Sequence, residues 1–281
     1  MKTPKRIEPL LEDGLIDEVV YPLKSGKEAD VFVVRCGDQL YCAKVYKEAN
    51  KRGFRTQTQY TEGRKVRNSR RARAMAKGSR YGRGEEEALW QNTEVDALYS
   101  LAAAGVRVPK PRLFVDGVLL MELVTGADGS AAPRLDDLAL NREQALSYHR
   151  FLIDQVVRML CAGLIHGDLS EYNILVDEHG PVIIDLPQAV DAAGNNSAGR
   201  MLLRDVNKLT TFLGQFAPEL LSTDYGHEIW SLYENAALAP GTELSGRFQR
   251  DERPANVDDV LQGIEAAREE AVLRQLQLDE V

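Results

Sequence analysis

A carboxylate and a carboxamide five residues apart carry the clearest chemical signal in this chain. In Leu164-Ile165-His166-Gly167-Asp168-Leu169-Ser170-Glu171-Tyr172-Asn173-Ile174-Leu175, a polar loop holding Asp168 and Asn173 sits between two apolar runs. Shortly afterwards Ile183-Ile184-Asp185 presents a second carboxylate. Hard divalent cations take oxygen ligands, and Mg2+ in phosphoryl-transfer sites uses one or two carboxylates together with substrate phosphates. With Asn173 and Asp185 on a metal, Asp168 is left to accept a proton from an attacking hydroxyl. The plainer alternative is that Asp168 and Asn173 only stabilise a tight loop. The apolar framing on both sides, which reads as a helix end and a hairpin, argues against it.

Two further residues fit the same chemistry. Lys44 lies in Tyr41-Cys42-Ala43-Lys44-Val45-Tyr46, a strand whose alternation puts Ala43 and Val45 on one face and Cys42, Lys44 and Tyr46 on the other. Glu94 shares an apolar helical stripe with Trp90, Leu98 and Leu101. A carboxylate on such a stripe is costly without a cationic partner, and Lys44 is the natural one. A lysine braced in this way points toward the α- and β-phosphates of a nucleotide. Ahead of that strand, Lys24-Ser25-Gly26-Lys27-Glu28-Ala29 is a small-residue turn. Its backbone N–H groups can face phosphate oxygens, with Ser25 and Lys27 as added donors, although it is neither G-x-G-x-x-G nor a Walker motif.

The elements that must position these residues can be read from periodicity. Val31-Phe32-Val33-Val34 and the run 40–46 are β-rich and separated by the turn Arg35-Cys36-Gly37-Asp38. The spacing predicts a helix over 85–104 ended by Gly105. Asp116-Gly117 between Leu113-Phe114-Val115 and Val118-Leu119-Leu120-Met121 predicts a hairpin. Asn141 with Gln144 forms a capping-box pattern for a helix that runs to Gly163. Ile174-Leu175-Val176 and Val182-Ile183-Ile184 flank a turn at Glu178-His179-Gly180, and beyond Asp205 the pattern is mostly helical. Asn256 is placed to cap a final helix with Val257, Val260, Leu261, Ile264 and Leu273 on one side. The outline is α+β, with a β-rich lobe over 1–124 and a helical lobe over 125–281 whose tail from about 221 carries no recognised role.

Composition sets the bounds. The 281 residues are 44% hydrophobic and 28% charged, which excludes a disordered chain, a collagen-like repeat and a disulfide scaffold. No apolar run approaches the roughly 18–20 residues that cross a bilayer. The opening Met1-Lys2-Thr3-Pro4-Lys5-Arg6 leads into no apolar region, so a secretory signal is not expected. Cys36, Cys42 and Cys161 are odd in number and form no C-x-x-C pair, which fits a reducing compartment, and four scattered histidines give no zinc spacing. A cytoplasmic protein is therefore expected. The net charge of −8 is unevenly spread: residues 51–83 hold 12 basic side chains and one acidic, leaving 23 basic against 42 acidic elsewhere. Such a stretch, extending to about 84, is expected to be a solvated insertion. It serves either solubility or a polyanionic partner, with no means of reading nucleic-acid sequence.

Taken together these strings resemble the RIO family of atypical protein kinases. The resemblance rests on Ser25-Gly26-Lys27-Glu28-Ala29, Ala43-Lys44-Val45-Tyr46-Lys47, and Trp90 with Glu94 and Leu98. It rests also on Leu119-Leu120-Met121-Glu122-Leu123, Ala131-Ala132-Pro133-Arg134-Leu135, the string from His166 to Asn173, and Ile184-Asp185-Leu186-Pro187-Gln188-Ala189-Val190. It runs from about residue 21 to about 213, and the short N-terminal stretch favours the first RIO subfamily or a bacterial relative. The resemblance implies a two-lobed kinase-like fold that binds ATP with Mg2+ or Mn2+. Ser25, Gly26, Lys27, Glu28 and Ala29 would cover the phosphates, Lys44 braced by Glu94 would contact them, and Met121, Glu122, Leu123 and Val124 would border adenine. Asp168 would be the catalytic aspartate, with Asn173 and Asp185 on metal. It also implies a flexible insertion at the basic stretch, a site for a protein or ribonucleoprotein partner, and autophosphorylation or an ATPase switch in which Asp185 takes the phosphate. Two rivals stay open at this point: a small-molecule phosphotransferase of aminoglycoside- or choline-kinase type, and an ATP-gated binding scaffold.

Overall fold

Asp116 and Gly117 both take positive φ, 46° and 74°, as a two-residue hairpin turn whose twist matches its strands requires. The structure, a computed structural model, describes residues 3–47 and 93–248. The basic stretch 51–84, the first turns of the helix expected over 85–104, and the helix expected after Asn256 lie outside the described residues. In chain order the first part contains α1 (Glu8–Glu12), β1 (Glu18–Ser25), β2 (Ala29–Cys36), β3 (Gln39–Tyr46), a helix α2 over 93–103, β4 (Pro111–Val115) and β5 (Val118–Glu122). The strands form one antiparallel sheet in the order β1-β2-β3-β5-β4. β3 is thus central, so Lys44 is not a residue of a solvent-facing edge.

Alternation along β3 separates two apolar clusters. Ala43 and Val45 pack with Phe32, Val34, Val118 and Leu120 against Ile7, which precedes α1, and Leu10 within it. Tyr46, on the opposite face, joins the main core with Leu98 and Leu101 of α2. α2 ends as its sequence predicts, with Gly105 at φ 74° and Val106 N–H donating to the Leu101 carbonyl at 3.0 Å. β1, which bears Pro22 on an edge strand, carries too little alternation to stand out beforehand.

The second part contains α3 (Arg142–Cys161), β6 (Leu164–Ile165), β7 (Ile174–Asp177), β8 (Gly180–Ile183), β9 (Val190–Asp191), α4 (Ala198–Leu213) and α5 (Tyr225–Glu234). Asn141 caps α3 with the reciprocal Gln144 bonds that the sequence signals. β7 pairs with β8 as an antiparallel hairpin, and β6 with β9. The main core continues through Leu152, Val156 and Leu160 of α3 and Met201, Val206 and Leu209 of α4. The α+β architecture expected from the sequence is the one observed: a small antiparallel sheet with one principal helix, then a helical half. No described helix is long and apolar enough to cross a membrane. Cys42 is a buried small residue whose thiol burial pushes up to about 12.

Between α3 and α4, His149 is buried with its Nε2 3.0 Å from Thr210 Oγ1. Burial disfavours the imidazolium and lowers its pKa to about 4. The unfolded chain takes up a proton near the ordinary value of about 6.5, whereas the folded one resists until about 4. Stability is therefore fully present above pH 6.5 and is lost as the pH falls toward 4, by up to about 1.4 kcal/mol per pH unit. Urea unfolding across that window should show this excess slope in the wild type and lose it in His149→Gln. Equal slopes in the two proteins would contradict the assignment.

Candidate active site

Lys44 reaches across the cleft from the centre of the sheet. Its Nζ donates to Glu94 Oε1 of α2 at 2.5 Å and to Asp185 Oδ1 at 3.0 Å. Tyr46, two residues on and so on the same face of β3, donates its hydroxyl to Glu94 Oε2 at 2.6 Å. Both oxygens of the buried Glu94 carboxylate are thereby bonded, which removes the cost of placing it on an apolar stripe. Burial alone would lower the Lys44 pKa, but the two carboxylates outweigh it and hold the ammonium well above its ordinary value. At Asp185 burial opposes ionisation, yet the Lys44 charge and hydrogen bond keep the carboxyl below its ordinary value. At Tyr46 burial and the Glu94 carboxylate favour the neutral phenol and outweigh the Lys44 charge, which favours the phenolate, so its pKa is raised.

The loop from His166 to Asn173 is fixed from behind. Asp205 of α4 accepts from Gly167 N–H at 2.8 Å and Leu169 N–H at 3.1 Å, and burial raises its pKa to about 7. Gly167 needs its φ of 81° for this turn, a conformation open to glycine at little cost. His166 is buried, and its two bonds fix its tautomer. Its Nε2 faces the Ile184 carbonyl at 3.0 Å and so donates, while Nδ1 accepts from Asp168 N–H at 3.3 Å. Burial lowers its pKa, which suits this neutral, structural role. Asn173 donates its amide N–H to the Asp168 carbonyl at 2.9 Å, leaving the amide oxygen as the available acceptor. Ile184 N–H donates to the Asn173 carbonyl at 2.9 Å, so the Asp168 loop and the Asp185 loop are tied together.

One partner of this loop was not among the sequence candidates. Lys208 of α4 places its Nζ 2.8 Å from Asp168 Oδ1. The available signal was spacing: Arg200, Arg204 and Lys208 recur every four residues, opposite the buried Met201, Leu202, Val206, Leu209 and Leu213. Lys47, quoted only as part of a motif, turns out to organise the 25–29 turn. It pairs with Asp30 at 2.8 Å and donates to the Gly26 carbonyl at 2.7 Å. Ser25 Oγ donates to Asp30 Oδ1 at 2.5 Å, Lys27 is exposed, Glu28 is half-buried, and Ala29 packs in the core. At the other side of the sheet, Met121 and Glu122 end β5, Leu123 packs with Val33 and Cys42, and the Val124 carbonyl accepts from Ala132 N–H at 2.9 Å. The Glu122 carboxylate anchors this segment by accepting from Lys110 N–H at 3.0 Å.

Asp168, Asn173 and Asp185 line one cavity of about 910 Å³ whose far wall is α4. A paired lysine, a second carboxylate, an oriented amide oxygen and a solvent-facing aspartate are groups that could serve phosphoryl transfer. A profile of the RIO domain matches residues 30–225. The chain is 35% identical over 207 residues to the RIO-type serine/threonine-protein kinase Rio1 of Haloferax volcanii, taking in 73% of this chain and 67% of that protein. Over 205 residues it is 33% identical to the Methanocaldococcus jannaschii protein of the same name, covering 72% and 65%. Against the serine/threonine-protein kinase rio1 of Schizosaccharomyces pombe the figures are 30% over 220 residues, 76% and 41%.

The chain belongs to the RIO family. Its antiparallel sheet and helical half form a RIO kinase-like fold, and its class is that of atypical serine/threonine protein kinases, ATP-dependent phosphotransferases that use a divalent metal. Membership replaces the aminoglycoside- or choline-kinase reading that the sequence left open. The described RIO residues contain no cluster of three or more His, Cys, Asp or Glu able to hold a metal on protein ligands alone. A two-ligand site completed by phosphates needs none.

Asp205→Ala leaves two buried N–H groups, of Gly167 and Leu169, without acceptors. Each unsatisfied group costs about 1–3 kcal/mol, so the variant should unfold at clearly lower denaturant while Asp168→Ala, at an exposed carboxylate, should not. Indistinguishable midpoints for Asp205→Ala and wild type would show that the loop does not depend on Asp205.

Proposed function

We propose that this RIO chain transfers the γ-phosphoryl group of ATP to a serine or threonine hydroxyl, with Asp168 as the proton acceptor. The observation that supports the reading is Lys44, held at once by Glu94 and Asp185, a fixed cation suited to nucleotide phosphates beside the carboxylate we assign to metal. In this reading Lys44 bonds the α- and β-phosphates, the turn of Ser25, Gly26, Lys27, Glu28 and Ala29 covers them, and residues 121–124 border adenine. The Asn173 amide oxygen and the Asp185 carboxylate suit Mg2+ or Mn2+, because hard ions of this kind accept two protein oxygens and fill the remaining positions with phosphates and water. When bound, such an ion neutralises charge that develops on the transferred group. Asp168 receives the acceptor's proton as the hydroxyl oxygen attacks the γ-phosphorus and the bond from that phosphorus to the β–γ bridging oxygen breaks, releasing ADP, and Lys208 orients the Asp168 carboxylate beforehand.

The working halves we assign are 1–124 and 125–281, the first bearing Lys44 and Glu94 and the second Asp168, Asn173 and Asp185. The basic stretch 51–84 is assigned to a protein or ribonucleoprotein partner on charge alone. Our reading of a cytoplasmic setting is supported by the unpaired cysteines.

Incubation of the purified chain with γ-labelled ATP and Mg2+ tests the reading. The account expects a label that survives hydroxylamine and falls by about 10²–10⁴ in rate in Asp168→Asn. A hydroxylamine-labile label lost in Asp185→Asn would instead put the phosphate on that carboxylate. ATP binding with no label would make the protein a nucleotide-gated scaffold.

A further inference from the structure

The exposed side of α4 carries Arg200, Arg204 and Lys208 at four-residue intervals, one ridge of the helix facing the Asp168 cavity. Packing of the apolar core does not require cations there. The core is served by the other face of α4, and the chain as a whole has a net charge of −8. Among the described residues, the wall of this cavity includes neither the 25–29 turn nor residues 121–124. It therefore opens from Asp168 and the assigned metal ligands Asn173 and Asp185 toward α4, and an acceptor hydroxyl entering from α4 could come within the roughly 2.6–3.2 Å of Asp168 that proton transfer needs.

The three cations are used differently. Lys208 already holds a carboxylate oxygen, that of Asp168, at 2.8 Å. Arg204 donates to the Gly167 carbonyl and so braces the loop. Arg200 is exposed and gives one bond to Ser197 Oγ at 2.8 Å, and a guanidinium has five N–H donors in a fork suited to carboxylate or phosphate. At about 1.5 Å of rise per residue, Arg200 stands about 12 Å along the ridge from Lys208. An extended peptide advances about 3.3 Å per residue, so that distance corresponds to about four residues. The one carboxylate on this wall outside the Asp168–Asp185 pair, Glu171, sits beside the exposed ring of Tyr172 on the opposite loop.

We propose that this ridge of α4 is an acceptor subsite that selects polypeptide segments bearing a carboxylate or phosphate about three to five residues from the serine or threonine to be modified. The proposal rests on the phosphotransfer reading above and adds its substrate class. Arg200 is the specificity-determining residue, and Lys208 sits at the junction of acceptor and transferred phosphate.

The test is a series of serine peptides in which a single Glu or phosphoserine is moved from six residues before the acceptor to six after it, assayed with the full chain, ATP and Mg2+. The proposal expects kcat/KM about tenfold higher for peptides with the anionic group three to five residues away than for the neutral parent, the effect of one charge-assisted contact. That ratio should fall toward one in Arg200→Ala and invert in favour of Lys-bearing peptides in Arg200→Glu. Glu and phosphoserine peptides separate a carboxylate preference from a phosphate preference. A flat series in the wild type, or an anionic advantage that persists in Arg200→Glu, overturns the proposal while leaving the kinase reading intact. Fluorescence anisotropy of a labelled Glu-bearing peptide supplies a second readout that needs no turnover. If no peptide is phosphorylated, the binding readout alone decides the subsite, and the labelling of the chain itself decides the kinase reading. Binding that weakens at least several-fold in Arg200→Glu would still support the subsite, and binding that is unchanged would overturn it.

Discussion

A single ammonium group joins three separate pieces of this protein. Lys44 comes from the middle strand of the sheet, Glu94 from α2 packed against it, and Asp185 from the loop after the β7–β8 hairpin. Burying one charge here would be prohibitive, and burying a pair is tolerable only when the remaining hydrogen-bonding capacity is met. Tyr46 meets it by taking the second Glu94 oxygen. The result is a cation with a defined position, still open on the side where Asp185 is half-exposed. Burial and charge pull in opposite directions at Lys44 and at Asp185, and in both the ion pair wins.

The remaining chemistry depends on backbone that is held from outside the reacting groups. Asp205, His166 and Asn173 each bond main-chain atoms of the two loops. The hairpin between those loops is itself fastened, since Ile183 N–H donates to the Arg107 carbonyl at 2.9 Å and Arg107 pairs with Asp177. Arg107 follows the helix that carries Glu94, so the brace for Lys44 and the frame for Asp185 share one connection. Rigid support of this kind lets exposed side chains such as Asp168 act from fixed positions.

Much of this was legible in the residue pattern, for identifiable reasons. The Asp116-Gly117 turn, the Asn141–Gln144 cap and the glycines at 105 and 163 are local devices, and local chemistry survives in sequence. The Lys44–Glu94 pair could be inferred across a separation of 50 residues because a carboxylate on an apolar stripe demands a partner. Lys208 could not, because a cation on an exposed helix face has water as an adequate alternative and so demands nothing. Asp205 was equally hidden: its partners are backbone N–H groups, which leave no mark on side-chain identity. The two-residue strands β6 and β9 are too short to show any period. The three relatives named above are matched over about two-fifths to two-thirds of their own lengths, and the RIO profile over 30–225 takes in Lys44, Glu94, Asp168, Asn173 and Asp185 but not the 25–29 turn.

The most direct test of the account is a calorimetric titration of ATP into the folded wild type and Lys44→Gln, each with and without Mg2+. If Lys44 is the fixed cation for nucleotide phosphates beside a metal-binding Asp185, wild-type affinity should rise with Mg2+ and drop about tenfold or more in the variant, the loss of one charge-assisted contact. Equal affinities in the two proteins, or wild-type binding indifferent to Mg2+, would contradict the account.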